Sequence, residues 1–213
     1  MIFEETIKRL NQIKKIRTKD IDLIAKDYLI DNADITDLYP HIRENSAIHR
    51  IYFVVSLKRI NNYNQQLLFI ERHFEYLQDW WHVDILTQLL LKDPGFEYVY
   101  RKAKEYVLSD MLFVRRWGYV IFLTGFQKEP EHTKAIIQLM HDDNEYYVQM
   151  AEAWLLADLA IYNPNEVFDY IKLKNLNYNI IGKAIQKICD SFRISEDYKK
   201  RVKELRALYK KSV

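Results

Sequence analysis

Apolar residues recur along this chain at helical spacing. From Ser46 onward, Ile48, Ile51, Tyr52, Val55 and Leu57 fall three or four positions apart, or nearly so. That spacing lays them along one side of a helix. Polar residues punctuate the pattern: Thr18, Ser46, Asp79, Asp110, Asn144 and Ser195 are suited to N-caps, because a short side-chain oxygen can accept from the free N–H groups of the first turn. Pro94, Pro130 and Pro164 stand at or just before helix starts, where a missing N–H costs nothing. The pattern predicts about twelve helices joined by links of about two to six residues. Glycine and proline number four each, fewer than the turns of a sheet protein require. The expected fold class is all-α.

A longer period lies over the helical one. The segments Trp81-His-Val-Asp-Ile-Leu, Val114-Arg-Arg-Trp-Gly-Tyr, Val148-Gln-Met-Ala-Glu-Ala and Gly182-Lys-Ala-Ile-Gln-Lys start 33, 34 and 34 residues apart, and Ile48-His-Arg-Ile-Tyr-Phe lies 33 earlier. Two helices per unit at this period are the mark of a helical-hairpin array. The tetratricopeptide consensus is absent, and the units look more like HEAT repeats, although the period is short for them. The expectation is one domain, residues 1–213, wound as a curved α-solenoid. In such an array the second helices of successive units line the concave face. Arg50, Arg116 and Lys183 then occupy equivalent or near-equivalent places, as do Trp80, Trp81 and Asp84. The alternative is a set of solvated charges at helix starts.

Composition narrows the setting. With 213 residues, 49% hydrophobic and 29% charged, the chain can bury a core without staples. Cys189 is the single cysteine, so no internal disulfide can form and a reducing cytoplasm is the expected location. It sits in an apolar-periodic stretch and reads as a small core residue. The opening Met1-Ile-Phe-Glu-Glu is acidic and no apolar run follows it, unlike a signal peptide. The longest apolar stretch, around Tyr119 to Leu123, falls far short of the roughly 18 to 20 residues of a membrane span. No membrane partner is expected. The net charge of +2 is low for a duplex-DNA binder.

Few residues suggest chemistry. Trp80 and Asp84 are four apart and share a helix face. A carboxylate beside a ring suits a developing sugar cation: the carboxylate offsets charge and orients water, and the ring offers its negative face. Trp154 alone reads as a core aromatic. The six histidines show no H-E-x-x-H or Cys/His spacing, so no zinc site is expected. No G-x-G-x-x-G or Walker A loop occurs, so no nucleotide cofactor is expected, and none of any other kind.

Several ordered stretches resemble the HEAT-like-repeat alkylpurine DNA glycosylases of the bacterial DNA alkylation repair type. Ile16-Arg-Thr-Lys-Asp-Ile resembles a conserved helix start of that family, at Thr18. Trp80-Trp-His-Val-Asp84 resembles its active-site helix and aligns Trp80 and Asp84 with the catalytic-site Trp and Asp. Asp110-Met-Leu-Phe-Val-Arg-Arg116 places Arg116 on a phosphate-contacting Arg. Glu145-Tyr-Tyr-Val-Gln-Met-Ala-Glu-Ala-Trp154 places Trp154 on a second cleft Trp. The likeness runs from residue 16 to residue 190.

The resemblance implies hydrolysis of the glycosidic bond of cationic N3- or N7-alkylated purines in double-stranded DNA, by a monomer. Asp84 would be catalytic, Trp80, Arg116 and Trp154 would bind substrate and DNA, and Thr18, Arg50 and Lys183 would add DNA contacts. Three departures shape the expectation. About fifteen residues, Met1 to Lys15, precede the Thr18 segment, room for one helix where family members usually have two. Trp117 stands where the family has a small residue and would narrow the cleft or repack. The charge is low. The expectation is therefore weak DNA binding, with excision weak or lost. The alternatives are a fully active glycosylase and a non-enzymatic scaffold for a protein or peptide.

Overall fold

The computed structural model describes residues 1–92, 95–173 and 176–210, with side chains through Ala207. Among these residues there are thirteen α-helices, three short 3-10 segments and no strand. The backbone falls into two compact units, residues 1–76 with 89–91, and residues 77–88 with 92–213.

The first unit holds α1 (Ile2–Asn11), α2 (Thr18–Ile30), α3 (Ser46–Arg59) and α4 (Tyr63–Arg72), with α2 packed on α3. Its core is Leu10, Ile24, Tyr28, Leu38, Ile48, Ile51, Phe53, Val55, Leu57, Leu67 and Ile70, all almost fully buried. Burying a polar group is costly unless it is hydrogen-bonded, and two clusters in this core meet that demand. The Thr6 and Tyr28 hydroxyls lie 2.8 Å apart. Gln66 donates to the Leu57 carbonyl at 2.9 Å and accepts from the Leu91 amide at 2.8 Å.

The second unit contains α5 (Trp80–Asp84), α6 (Leu86–Leu89, whose last residue falls to the first unit), α7 (Phe96–Tyr106), α8 (Leu112–Val120), α9 (Pro130–Ile137), α10 (Tyr146–Tyr162), α11 (Pro164–Lys172), α12 (Tyr178–Asp190) and α13 (Glu196–Lys210). Here the long period takes physical form. Helices α5, α8, α10 and α12 carry the four repeated segments and pack side by side in that order, while α7, α9 and α11 pack against α8 and α10 as the second layer. α10 is buried at ten positions, from Val148 to Ala160. A helix walled by neighbours is apolar nearly all round, so the polar residues it keeps mark places with another use.

The cap predictions divide. Asp79 accepts from the Trp80 amide at 2.7 Å, and the Ser195 hydroxyl accepts from the Tyr198 amide at 3.3 Å. Pro130 and Pro164 open α9 and α11; Pro94 lies outside the described residues. Thr18 and Ser46 are already inside their helices, and the caps are Arg17 and Asn45. Asn45 wins because its carboxamide reaches both the Ala47 and Ile48 amides. Asp110 and Asn144 stand one residue ahead of the caps Met111 and Glu145. Cys189 is only partly covered, on the flank of α12 rather than in the core. No helix among the described residues is long and apolar enough to cross a membrane.

Candidate functional site

α5 delivers Trp80 and Asp84 to one side of the second unit. The helix is five residues long, started by the Asp79 cap and anchored by Val83, which is fully buried. The opposite side is then left to Trp80, about half exposed, and to Asp84.

Asp84 is met from behind by α8. Arg116 donates from Nε (3.1 Å) and Nη2 (2.7 Å) to the same oxygen, Oδ1 of Asp84. Its Nη1 donates to the Tyr147 carbonyl at 2.7 Å. Arg116 is only 4% exposed, so its guanidinium is spent inside the protein and is not presented to a phosphate. Burial pushes the Asp84 carboxyl up from its ordinary range, and the Arg116 charge and hydrogen bonds, with Lys187 on α12 adding its field, oppose that rise. Both bonds from Arg116 to Asp84 end on Oδ1, and Asp84 also borders the space in front.

That space is a cleft of about 570 Å³ whose lining includes Trp80, Asp84, Leu123, Gln127, Lys128, Trp154, Asp158, Tyr162 and Arg193. Trp154 is not the core aromatic its surroundings in sequence suggest; it is partly exposed and walls the cleft. The chain behind α8 turns away at Gly125, where φ is 135°, a conformation that an L side chain resists. Gly125 is itself part of the lining. Trp117 repacks: it is wholly buried and absent from the lining. Its Nε1 is enclosed without a hydrogen-bond partner among the described residues.

Residues 10–188 match the family described as DNA alkylation repair enzyme. The chain belongs to the DNA alkylation repair enzyme family. No curated protein and no solved structure matches it.

For a member of this family, the arginines are notable for what occupies them. Arg50, in the first unit, forms a two-pronged pair with Asp22 at 2.6 and 2.9 Å. Arg115 bonds Asp143 at 2.7 Å and the carbonyls of Ser109 and Asp110. Arg116 holds Asp84. Lys183 rests 5.6 Å over the Tyr146 ring and 3.4 Å from Gln149 Oε1, a looser and more available arrangement. Thr18 is exposed in the first unit, and the cleft is lined wholly by the second.

Several residues that sequence reasoning left out face the cleft, Asp158 and Arg193 among them. Asp158 lies one turn beyond Trp154 on α10, and Arg193 follows α12. The signal for Asp158 was available: Trp154-x-x-x-Asp158 repeats the spacing of Trp80-x-x-x-Asp84. Arg193 carries no such signal, since only folding brings the α12–α13 link back to α10. Elsewhere on α10, Glu152 is fully buried and its carboxyl is pushed up to about 8 by desolvation. Among the described residues no group of His, Cys, Asp and Glu gathers into a metal site.

Proposed function

We propose that this DNA alkylation repair family member acts on duplex DNA carrying cationic N3- or N7-alkylpurines, with a weak hold on the DNA and slow excision of the base. The observation that carries the reading is Asp84: a carboxylate gripped on one oxygen by a buried arginine and lining a cleft walled by Trp80 and Trp154.

The chemistry needs little more. A cationic purine is already a good leaving group and departs as the neutral base with the bonding electron pair. Water adds at C1′ of the sugar and gives up a proton. Between those events C1′ is electron-poor, and a carboxylate fixed before the reaction stabilises it without reorganising. The Asp84 carboxylate is suited both to that task and to orienting the water. The rings of Trp80 and Trp154 can lie against the sugar and the cationic base. Arg116 acts through Asp84 as a positioning residue.

The weak hold follows from the ion pairs. Affinity for duplex DNA comes largely from cations that meet phosphates and release counter-ions. Arg50, Arg115 and Arg116 are each committed to a carboxylate, so these three are not presented to phosphates.

The test is release of 7-methylguanine and 3-methyladenine from methylated duplex DNA, run beside binding at 50 mM and 200 mM salt. Slow release that Asp84→Asn abolishes, with binding unchanged by that substitution, is expected. Release that survives Asp84→Asn removes Asp84 from catalysis. Tight binding with a steep salt dependence, together with fast release, would establish an efficient glycosylase instead.

A further inference from the structure

Asp158 has no part in the scheme above, yet the fold takes trouble to hold it. It stands on α10 directly beneath Trp154, four residues on, so ring and carboxylate share one face. Its Oδ2 accepts from Gln127 Nε2 at 2.8 Å. Gln127 is in turn fixed by Asn163 at the end of α10, whose Nδ2 donates to the Gln127 carbonyl at 2.8 Å and to Thr133 Oγ1 at 2.8 Å. On its other side Arg193 approaches Oδ1 only to 3.7 Å, too far for a hydrogen bond. The better-made contact of Arg193 is with Tyr162, whose hydroxyl it meets at 2.6 Å. Asp158 is therefore oriented by a neutral partner and only loosely neutralised, unlike Asp84.

Its position adds to the case. Trp154 and Asp158 line the Asp84 cleft and also an adjoining hollow of about 410 Å³, to which Phe192 contributes together with Asp190 and the cations Lys187 and Arg193. Phe192 is 94% exposed although its neighbours are tied down, Arg193 to Tyr162 and Ile194 by burial. An exposed ring beside a second ring and an incompletely paired carboxylate offers surfaces for a flat, apolar, positively charged group.

We propose that Asp158, with Trp154, forms the subsite that recognises the positive charge of the alkylated base, as distinct from Asp84, which faces the sugar. This rests on the function proposed above and adds to it a specificity-determining residue. A flat cation gains from the face of Trp154 and from the carboxylate at its edge, whereas a neutral purine of the same shape gains only the ring. Burial raises the Asp158 carboxyl while Gln127 and Arg193 lower it, so an incoming cation further favours the ionised form.

The experiment compares two duplexes that differ only in charge. One carries 7-methylguanine, the other its 7-deaza-7-methyl analogue, which has the same outline and no charge. Binding of the whole chain is followed by fluorescence anisotropy at low salt. We expect the wild-type protein to prefer the charged duplex by roughly tenfold, the scale of one partly desolvated cation–ring and ion-pair contact. Asp158→Asn, which keeps an oxygen for Gln127, should bring that ratio close to one. Arg193→Gln removes the cation that pairs with Asp158 and should raise the ratio above that of the wild type, a gain that a purely structural role of Asp158 does not produce. A ratio near one in the wild type, or one that Asp158→Asn leaves intact, overturns the inference and leaves the proposed function standing. Failure to bind either duplex defeats both.

Discussion

Replacing Arg116 by methionine tests the arrangement at the heart of the cleft. The substitution keeps a long, unbranched side chain in a site only 4% exposed and removes three hydrogen bonds, two to Asp84 and one to the Tyr147 carbonyl. Removing one partner of a buried pair costs about 3–5 kcal/mol, because the other charge is left without compensation. The Asp84 side chain is 22% exposed, so water softens that penalty and the lower end, about 3 kcal/mol, is the better figure. The loss depends on pH. Without the arginine, the opposition to burial falls to the Lys187 field alone, and the Asp84 carboxyl rises further above its unfolded range. A carboxyl raised in the folded state favours folding while it is protonated and loses that contribution as pH rises through the folded value. The penalty for Arg116→Met is therefore smallest in acid, grows as Asp84 ionises, and levels off above its folded pKa. Urea unfolding followed by tryptophan fluorescence between pH 4 and pH 8 reads this directly. Adding Asp84→Asn to Arg116→Met removes the stranded charge and should restore about 1–3 kcal/mol at neutral pH, the usual size of such coupling. A pH-independent penalty under about 1 kcal/mol, with no recovery in the double variant, would refute the claim that Arg116 stabilises an ionised Asp84.

Other expectations follow from separate features. In Gly118→Ala the new Cβ would lie 2.6 Å from Val107 Cγ1 and 2.9 Å from the Val107 backbone nitrogen; moving α8 off this contact should cost about 1–3 kcal/mol in unfolding free energy, and an unchanged urea midpoint would show the contact to be soft. Glu152, fully buried and with its carboxyl near 8, contributes stability that is lost as pH rises from its unfolded range to about 8; Glu152→Gln should flatten that fall by several kcal/mol, and an unaltered pH profile by thermal unfolding counts against it. If Lys183 meets a phosphate, Lys183→Ala should make the slope of log K against log salt shallower by about 0.9, whereas Arg50→Gln, which frees Asp22 and breaks an existing pair, should leave that slope unchanged.

The helical class and the repeat were written in the sequence because both rest on local periodicity. A period near 34 residues puts the same face inward in each unit, and α5, α8, α10 and α12 pack in that order for this reason. The pairing of Trp80 with Asp84 was legible for the same reason: four residues on one helix fix which face both share. The caps were less so, since Asn45 and Ser46 are both chemically able and only the backbone path chooses between them. What each charged side chain meets was beyond the sequence altogether. Arg116 was expected to reach outward, and the approach of α8 to α5 turned it onto Asp84 instead. Trp117 went wholly into the core and Trp154 partly out of it, although both lie in apolar surroundings. Asp158 owes its place to Gln127 and Arg193, residues brought from before α9 and after α12. Periodicity is a property of neighbours along the chain. The partner of a charge, and the water left around it, are set by which helices come together and how closely, and that is decided only when the helices pack.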